Sequence, residues 1–131
     1  MAGCVLRATG EIFETGIFLE GSRFEPCNVF CKGERKTKSS VWETSGFTLV
    51  VSEADGKDFE QQIKDAITFL KQNKAELLRL RSFVGIEGMS FDFGVYRNNE
   101  FIQSYFFPPL LISLAGEAEI ALELSIYHNS N

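Results

Sequence analysis

Histidine is almost missing from this chain, with one in 131 residues. That residue is His128, close to the C-terminus, where chains fray. A Ser-His-Asp triad or a multi-histidine metal site needs its imidazole beside a nucleophile or several further ligands, and no such company is visible around His128. Cysteine is scarce too. Cys4, Cys27 and Cys31 are an odd set at no disulfide-framework spacing, so free, reduced thiols are expected. A Cys₃His metal site built from these three and His128 is conceivable, but Cys27 and Cys31 read equally well as ordinary residues of an irregular segment.

Long apolar runs are absent as well. The longest, Phe106 to Leu111, is broken by Pro108 and Pro109 and falls far short of the roughly 20 residues that span a bilayer. No basic, then apolar, N-terminal leader is present, so a cytoplasmic protein with no membrane association is expected. Positive charge is in deficit: 13 Lys and Arg against 18 Asp and Glu give a net charge of −5 and a pI near 4.9. A surface of that sign repels phosphate backbones, which argues against nucleic acid as a partner. No cofactor motif is recognisable, and none is expected.

Phenylalanine, by contrast, is abundant. Thirteen of them in a chain that is 44% hydrophobic supply ample core material and exclude compositional disorder. Phe has no hydrogen-bonding handle, so the set reads as packing first. The length suits one domain with one sizeable core.

The clearest pattern runs from Glu119 to Tyr127, where Ile120, Leu122, Leu124 and Ile126 alternate with Ala121, Glu123, Ser125 and Tyr127. It predicts a strand with one buried face. Upstream, Cys4 to Ile12 suits a strand, Glu14 to Gly21 a short, glycine-weakened helix, and Phe24 to Lys32 an irregular connection carrying Pro26. Lys32 to Ser40 is a polar, mostly basic loop. Val41 to Val51 resumes β character with Phe47, Leu49 and Val51 on one face. After a turn at Ser52 to Lys57, Asp58 opens a helix in which Phe59, Ile63, Ala66, Ile67 and Leu70 share a face. The pattern breaks at Gln72 to Lys74 before Ala75 to Arg81, giving two helices or one bent one. Met89 to Tyr96 and Phe101 to Phe106 then alternate around an asparagine-rich turn and predict a hairpin. Pro108 and Pro109 suit a helix start, closed by Gly116. The sum is an α+β two-layer sandwich, a mostly antiparallel or mixed sheet of about five strands with helices on one face.

Chemistry is harder to place. Asp58 and Asp65 lie seven apart on one helix face, the ordinary signature of a solvated stripe. Asp92 sits on the polar side of its strand between Phe91 and Phe93, where Glu123 or Ser125 could neighbour it across the sheet; among the acidic candidates, which also include Asp55, Glu117, Glu119 and Glu123, it is the foremost for carboxylate catalysis, set against a simply solvated sheet face. The loop carries Lys32, Arg35, Lys36 and Lys38 but lacks the two-glycine spacing of a phosphate cradle. Its charge would steer an acidic partner. Trp42 follows directly, as either a core anchor or a contact residue.

The order of these signals resembles a family of small bacterial proteins catalogued as domain of unknown function 4279. The similar features are an early strand, Pro26 ahead of Lys32-Gly33-Glu34, Trp42 with Ser45 nearby, the helix from Asp58, and a closing strand ending Ile126-Tyr127. The resemblance implies a bacterial, cytoplasmic context and no mechanism. From the residues, the leading expectation is a non-enzymatic, protein-binding module of immunity-protein type, with Lys32, Arg35, Lys36, Lys38, Trp42 and Glu123 as contact residues. The competing expectations are an enzyme built on Asp92 and a sensor of small anions using the 32–40 loop and Trp42. Oligomeric state is left open.

Overall fold

The computed structural model describes residues 3–128. At the middle of the sheet lies β1 (Gly3–Gly10), whose strict alternation sends Cys4, Leu6 and Ala8 into the core and leaves Val5, Arg7 and Thr9 on the other side. Both of its edges pair antiparallel, one with β5 (Ser45–Ser52) and one with β6 (Gly88–Tyr96). Short β2 (Asn28–Phe30) extends the sheet beyond β5, and β7 (Ala121–Tyr127) closes it, parallel to β6. The order is β2-β5-β1-β6-β7, a mixed five-stranded sheet in an α+β fold, as the sequence predicts. A parallel neighbour demands a crossover, and α4 (Pro109–Glu117) supplies it, with Pro109 in its first turn.

Helices cover one face. α1 (Thr15–Glu20) is short but real, because Phe18 plugs the core completely. α2 (Phe59–Gln72) is capped by Asp58, whose side chain accepts from the Gln61 N–H at 3.3 Å. It buries Ile63, Ala66 and Leu70, the positions its three- and four-residue spacing marks. A break at Asn73 separates it from α3 (Lys74–Arg81), so the segment is two helices. The surplus phenylalanine is mostly core: Phe18 stacks on Phe47 with centroids 6.0 Å apart and takes the edge of Phe83 at 5.3 Å. Asp58, which is exposed, and Asp65, which is half-buried, do more than line a solvated face. The first is the cap, and the second accepts from the Ser52 hydroxyl at 2.6 Å. A bulge makes that contact possible, since Cys4 pairs with Ser52 and Val5 with Val50, which turns Ser52 towards the helices.

Three sequence expectations are corrected. Phe101 to Phe106 is not a strand, and the predicted hairpin does not exist. Both edges of β6 are already taken by β1 and β7, so the segment has no edge to join. Instead Gln103 imitates one, donating to the Tyr96 carbonyl at 2.8 Å and accepting from the Asn98 N–H at 3.1 Å. Second, the basic stretch is not a bare loop, for β3 (Arg35–Thr37) and β4 (Ser40–Val41) pair in a separate two-stranded hairpin. Third, Ile126 is 47% exposed although the alternation assigns it to the buried face, because β7 is an edge strand that the helices only partly roof. Among the described residues, no helix is long and apolar enough to cross a membrane.

Candidate functional site

The uncovered face of the sheet is where the polar half of every strand collects. Register sets Val5 opposite Asp92, and Asp92 opposite Glu123 on β7, while Ser125 lies two residues along on the same face. Ser125 donates its hydroxyl to Asp92 Oδ1 at 2.7 Å. Arg7 reaches diagonally to Asp92 Oδ2 and to Glu123 Oε1, each at 3.7 Å. Asp92 therefore has the neighbours its strand position predicts. With its side chain 12% exposed, it is a shielded carboxylate with both oxygens engaged.

Arg7 and Asp92 of this centre line a trough of about 600 Å³. Its floor is low where Gly3 faces Gly94 across the β1–β6 ladder. Gly3 is held at φ +124, and a Cβ there would stand 2.5 Å from the Ser52 carbonyl oxygen, so glycine is required. Val5, Val50 and Tyr127 make the trough partly apolar. Its far wall is an aromatic stack, Phe30 on Trp42 at 4.0 Å and 17°. The Trp42 main chain is held by the small hairpin, its carbonyl accepting from the Gly33 N–H at 2.8 Å and its backbone N–H donating to the Glu34 carbonyl at 2.9 Å. Trp42 is half-buried and lies outside the main core, so the core-anchor alternative is set aside.

The basic residues divide. Lys36 places its ammonium 4.7 Å above the Trp42 ring. Lys32 pairs with Glu11 at 3.8 Å, and Arg35 donates to the Lys38 carbonyl at 2.9 Å. Lys36 and Trp42 thus stand together on one rim while Glu123 stands at the other side of the sheet. Lys32, Arg35 and Lys38 lie along the hairpin.

The thiols are not gathered. Cys4 is buried on the helix side of β1, where burial, reinforced by Asp92 and Asp65, pushes its thiol up out of the range in which a reactive thiolate forms. Cys27 lines the trough on the opposite face, with its Sγ 3.3 Å from Thr48 Oγ1. The conceivable Cys₃His site is therefore not assembled. Among the described residues, no group of three or more His, Cys, Asp or Glu side chains stands close enough to hold a metal. His128 instead lines a separate polar cavity of about 860 Å³ with Lys57, Arg97 and Tyr105. This cavity is not legible in the sequence, because residues 101–106, several of which wall it, read there as the second strand of a hairpin. Sequence reading also missed Arg7, whose only sequence signal is a charge on the polar side of an otherwise apolar strand.

In comparisons with known proteins, residues 2–129 match the family model described as domain of unknown function (DUF4279). No curated protein and no solved structure matches.

Proposed function

Since the chain belongs to the DUF4279 family, whose description names no activity, we infer its role from the site: a non-enzymatic protein-binding module, of immunity-protein type, that uses the open sheet face. One observation carries the reading. Among the described residues, no helix covers the open face of the five-stranded sheet; the small hairpin lays Trp42 over Phe30 at one end, and the face presents Trp42, Tyr127, Val5 and Val50 beside Arg7, Asp92 and Glu123. Aromatic and arginine side chains set in a shaped depression are the usual anchors of protein interfaces. The alternative of carboxylate catalysis at Asp92 is weaker, because Ser125 and Arg7 already occupy the oxygens that a general base would offer to substrate. A sensor of small anions keeps one favourable observation, Lys36 over the half-exposed Trp42; a change in tryptophan fluorescence on titration with anionic metabolites would support it. Exposed, unpaired Cys27 and Cys31 suit the reducing bacterial cytoplasm as the place of action.

The test is site-specific photocrosslinking in source cells from Val50 and from Tyr127, with Thr68 on α2 as the control. A discrete adduct to a polypeptide other than this chain from the sheet positions, absent from Thr68 and lost with Glu123→Arg, is expected. Equal labelling from both faces, or affinity untouched by Glu123→Arg, would overturn the reading.

A further inference from the structure

β7 is an edge strand with few of the usual protections, its one charge being Glu123 on the open side. It holds no proline, no lysine and no bulge, although natural edges are commonly blunted by one of these. Among the described residues, no backbone pairs with its outer side. The direction of its free groups follows from one bond. The Arg97 N–H donates to the Tyr127 carbonyl at 2.8 Å, and Tyr127 is in register with Tyr96, so Tyr127 and every second residue before it face β6. Leu122, Leu124 and Ile126 consequently turn their N–H and C=O groups outward. The same three carry the apolar side chains on the helix side of the strand, and none is fully buried.

We propose that β7 pairs antiparallel with β7 of a second copy of this chain, about a two-fold axis at Leu124, joining two five-stranded sheets into one. Among the symmetric registers that the outward groups allow, this one satisfies all three residues within the strand. Leu124 lies opposite its own copy and Leu122 opposite Ile126 of the partner subunit, each pair exchanging both hydrogen bonds. On the helix side, leucine and isoleucine meet and the partly open apolar edge closes. On the open side, Glu123 meets Ser125 of the partner subunit, and Ala121 meets Tyr127 of the partner subunit. The register one step towards the N-terminus sets Glu123 against itself, which like charge disfavours. A second copy therefore fits this edge on main-chain bonding, apolar side chains and charge together. The dimer would lay two open faces side by side, but it does not depend on what those faces bind.

Sedimentation velocity on the full chain tests the proposal. Dimer that forms with rising concentration, and is undiminished by added salt, is expected because each copy carries a net charge of −5 and screening relieves their repulsion. Ile126→Lys, at an exposed position, should weaken association roughly tenfold or more through an edge charge that pairing would desolvate, with an unchanged circular dichroism spectrum. In a background with Cys27 and Cys31 replaced by serine, Leu124→Cys should oxidise to a disulfide dimer much faster than Ile126→Cys, since only position 124 meets its own copy. A monomer at all concentrations, equal oxidation at the two positions, or a dimer that Ile126→Lys spares and salt dissolves would overturn the proposal. The last outcome would assign association to the basic hairpin against the acidic body.

Discussion

Gln62 is fully buried on α2, an unusual place for an amide. Its Nε2 donates to the Gly94 carbonyl at 2.9 Å and to the Ala54 and Asp55 carbonyls at 3.3 Å each. One side chain therefore ties the helix to β6, next to the low floor of the trough, and to the turn that precedes the helix. Its Oε1 has no partner among the described residues, so part of that gain is offset by an unsatisfied acceptor. Replacement by leucine removes both, and a loss of about 1–2 kcal/mol in urea unfolding is expected. Gln62→Glu should cost more at neutral pH, because a carboxylate would then face three carbonyl oxygens. Helical periodicity marks Phe59, Ile63, Ala66, Ile67 and Leu70 on this helix but does not mark Gln62. It could not reveal the three acceptors, which come from two other parts of the chain.

Among the elements, the β3–β4 hairpin depends most on one residue. None of its strand residues is buried, so its position rests on Trp42, which stacks on Phe30 and bonds to the Gly33 and Glu34 backbone. Trp42→Ala is expected to release the hairpin: amide exchange should rise across residues 33–41 and the Lys36 contact should be lost. Global stability should fall by about 1 kcal/mol, well below the cost of truncating a core aromatic, because Trp42 lies outside the main core. Nuclear magnetic resonance exchange measurements with a denaturation curve would separate the two effects. The alternation at 101–106 failed as a predictor for a related reason. A period of two describes a strand only where an edge is free to receive it, and β6 had none left.

At the scale of the whole molecule, charge adds to the buried Phe18 in holding the first helix against α3. Glu76 on α3 accepts from Arg79 Nε at 2.9 Å and from the Ser22 hydroxyl, while Arg79 also donates to the Phe18 carbonyl at 3.1 Å and lies 4.1 Å over the Phe18 ring. The hydrogen bond from Arg79, more than that from Ser22, holds the Glu76 carboxyl below its ordinary range against the opposing effect of burial. A carboxyl depressed in the folded state contributes stability that is complete above its unfolded value, roughly pH 4.3, and is lost as pH falls through the folded value. Glu76→Gln should therefore destabilise by about 1 kcal/mol near neutral pH, a figure discounted for the partly solvated Arg79. The difference from the parent chain should shrink towards zero in acid. Thermal unfolding of both proteins from pH 7 to pH 3 reads it directly.

What the sequence determined by itself is what depends on neighbours in the chain. The α+β class, the apolar faces of β1, β5, α2 and β7, the capping Asp58 and the polar side on which Asp92 stands all follow from periods of two and 3.6 and from cap and turn chemistry. The tertiary structure decided whatever depends on which strand lies beside which. Sheet order made β7 a thinly protected edge and left Phe101 to Phe106 without a partner. Register brought Arg7, Asp92, Glu123 and Ser125 from three strands into one cluster, and the hairpin carried Trp42 to the rim of the same trough. Residue spacing encodes the direction of a side chain within its own element, whereas strand pairing is a choice among many near-equal ladders, settled only when the whole core is packed.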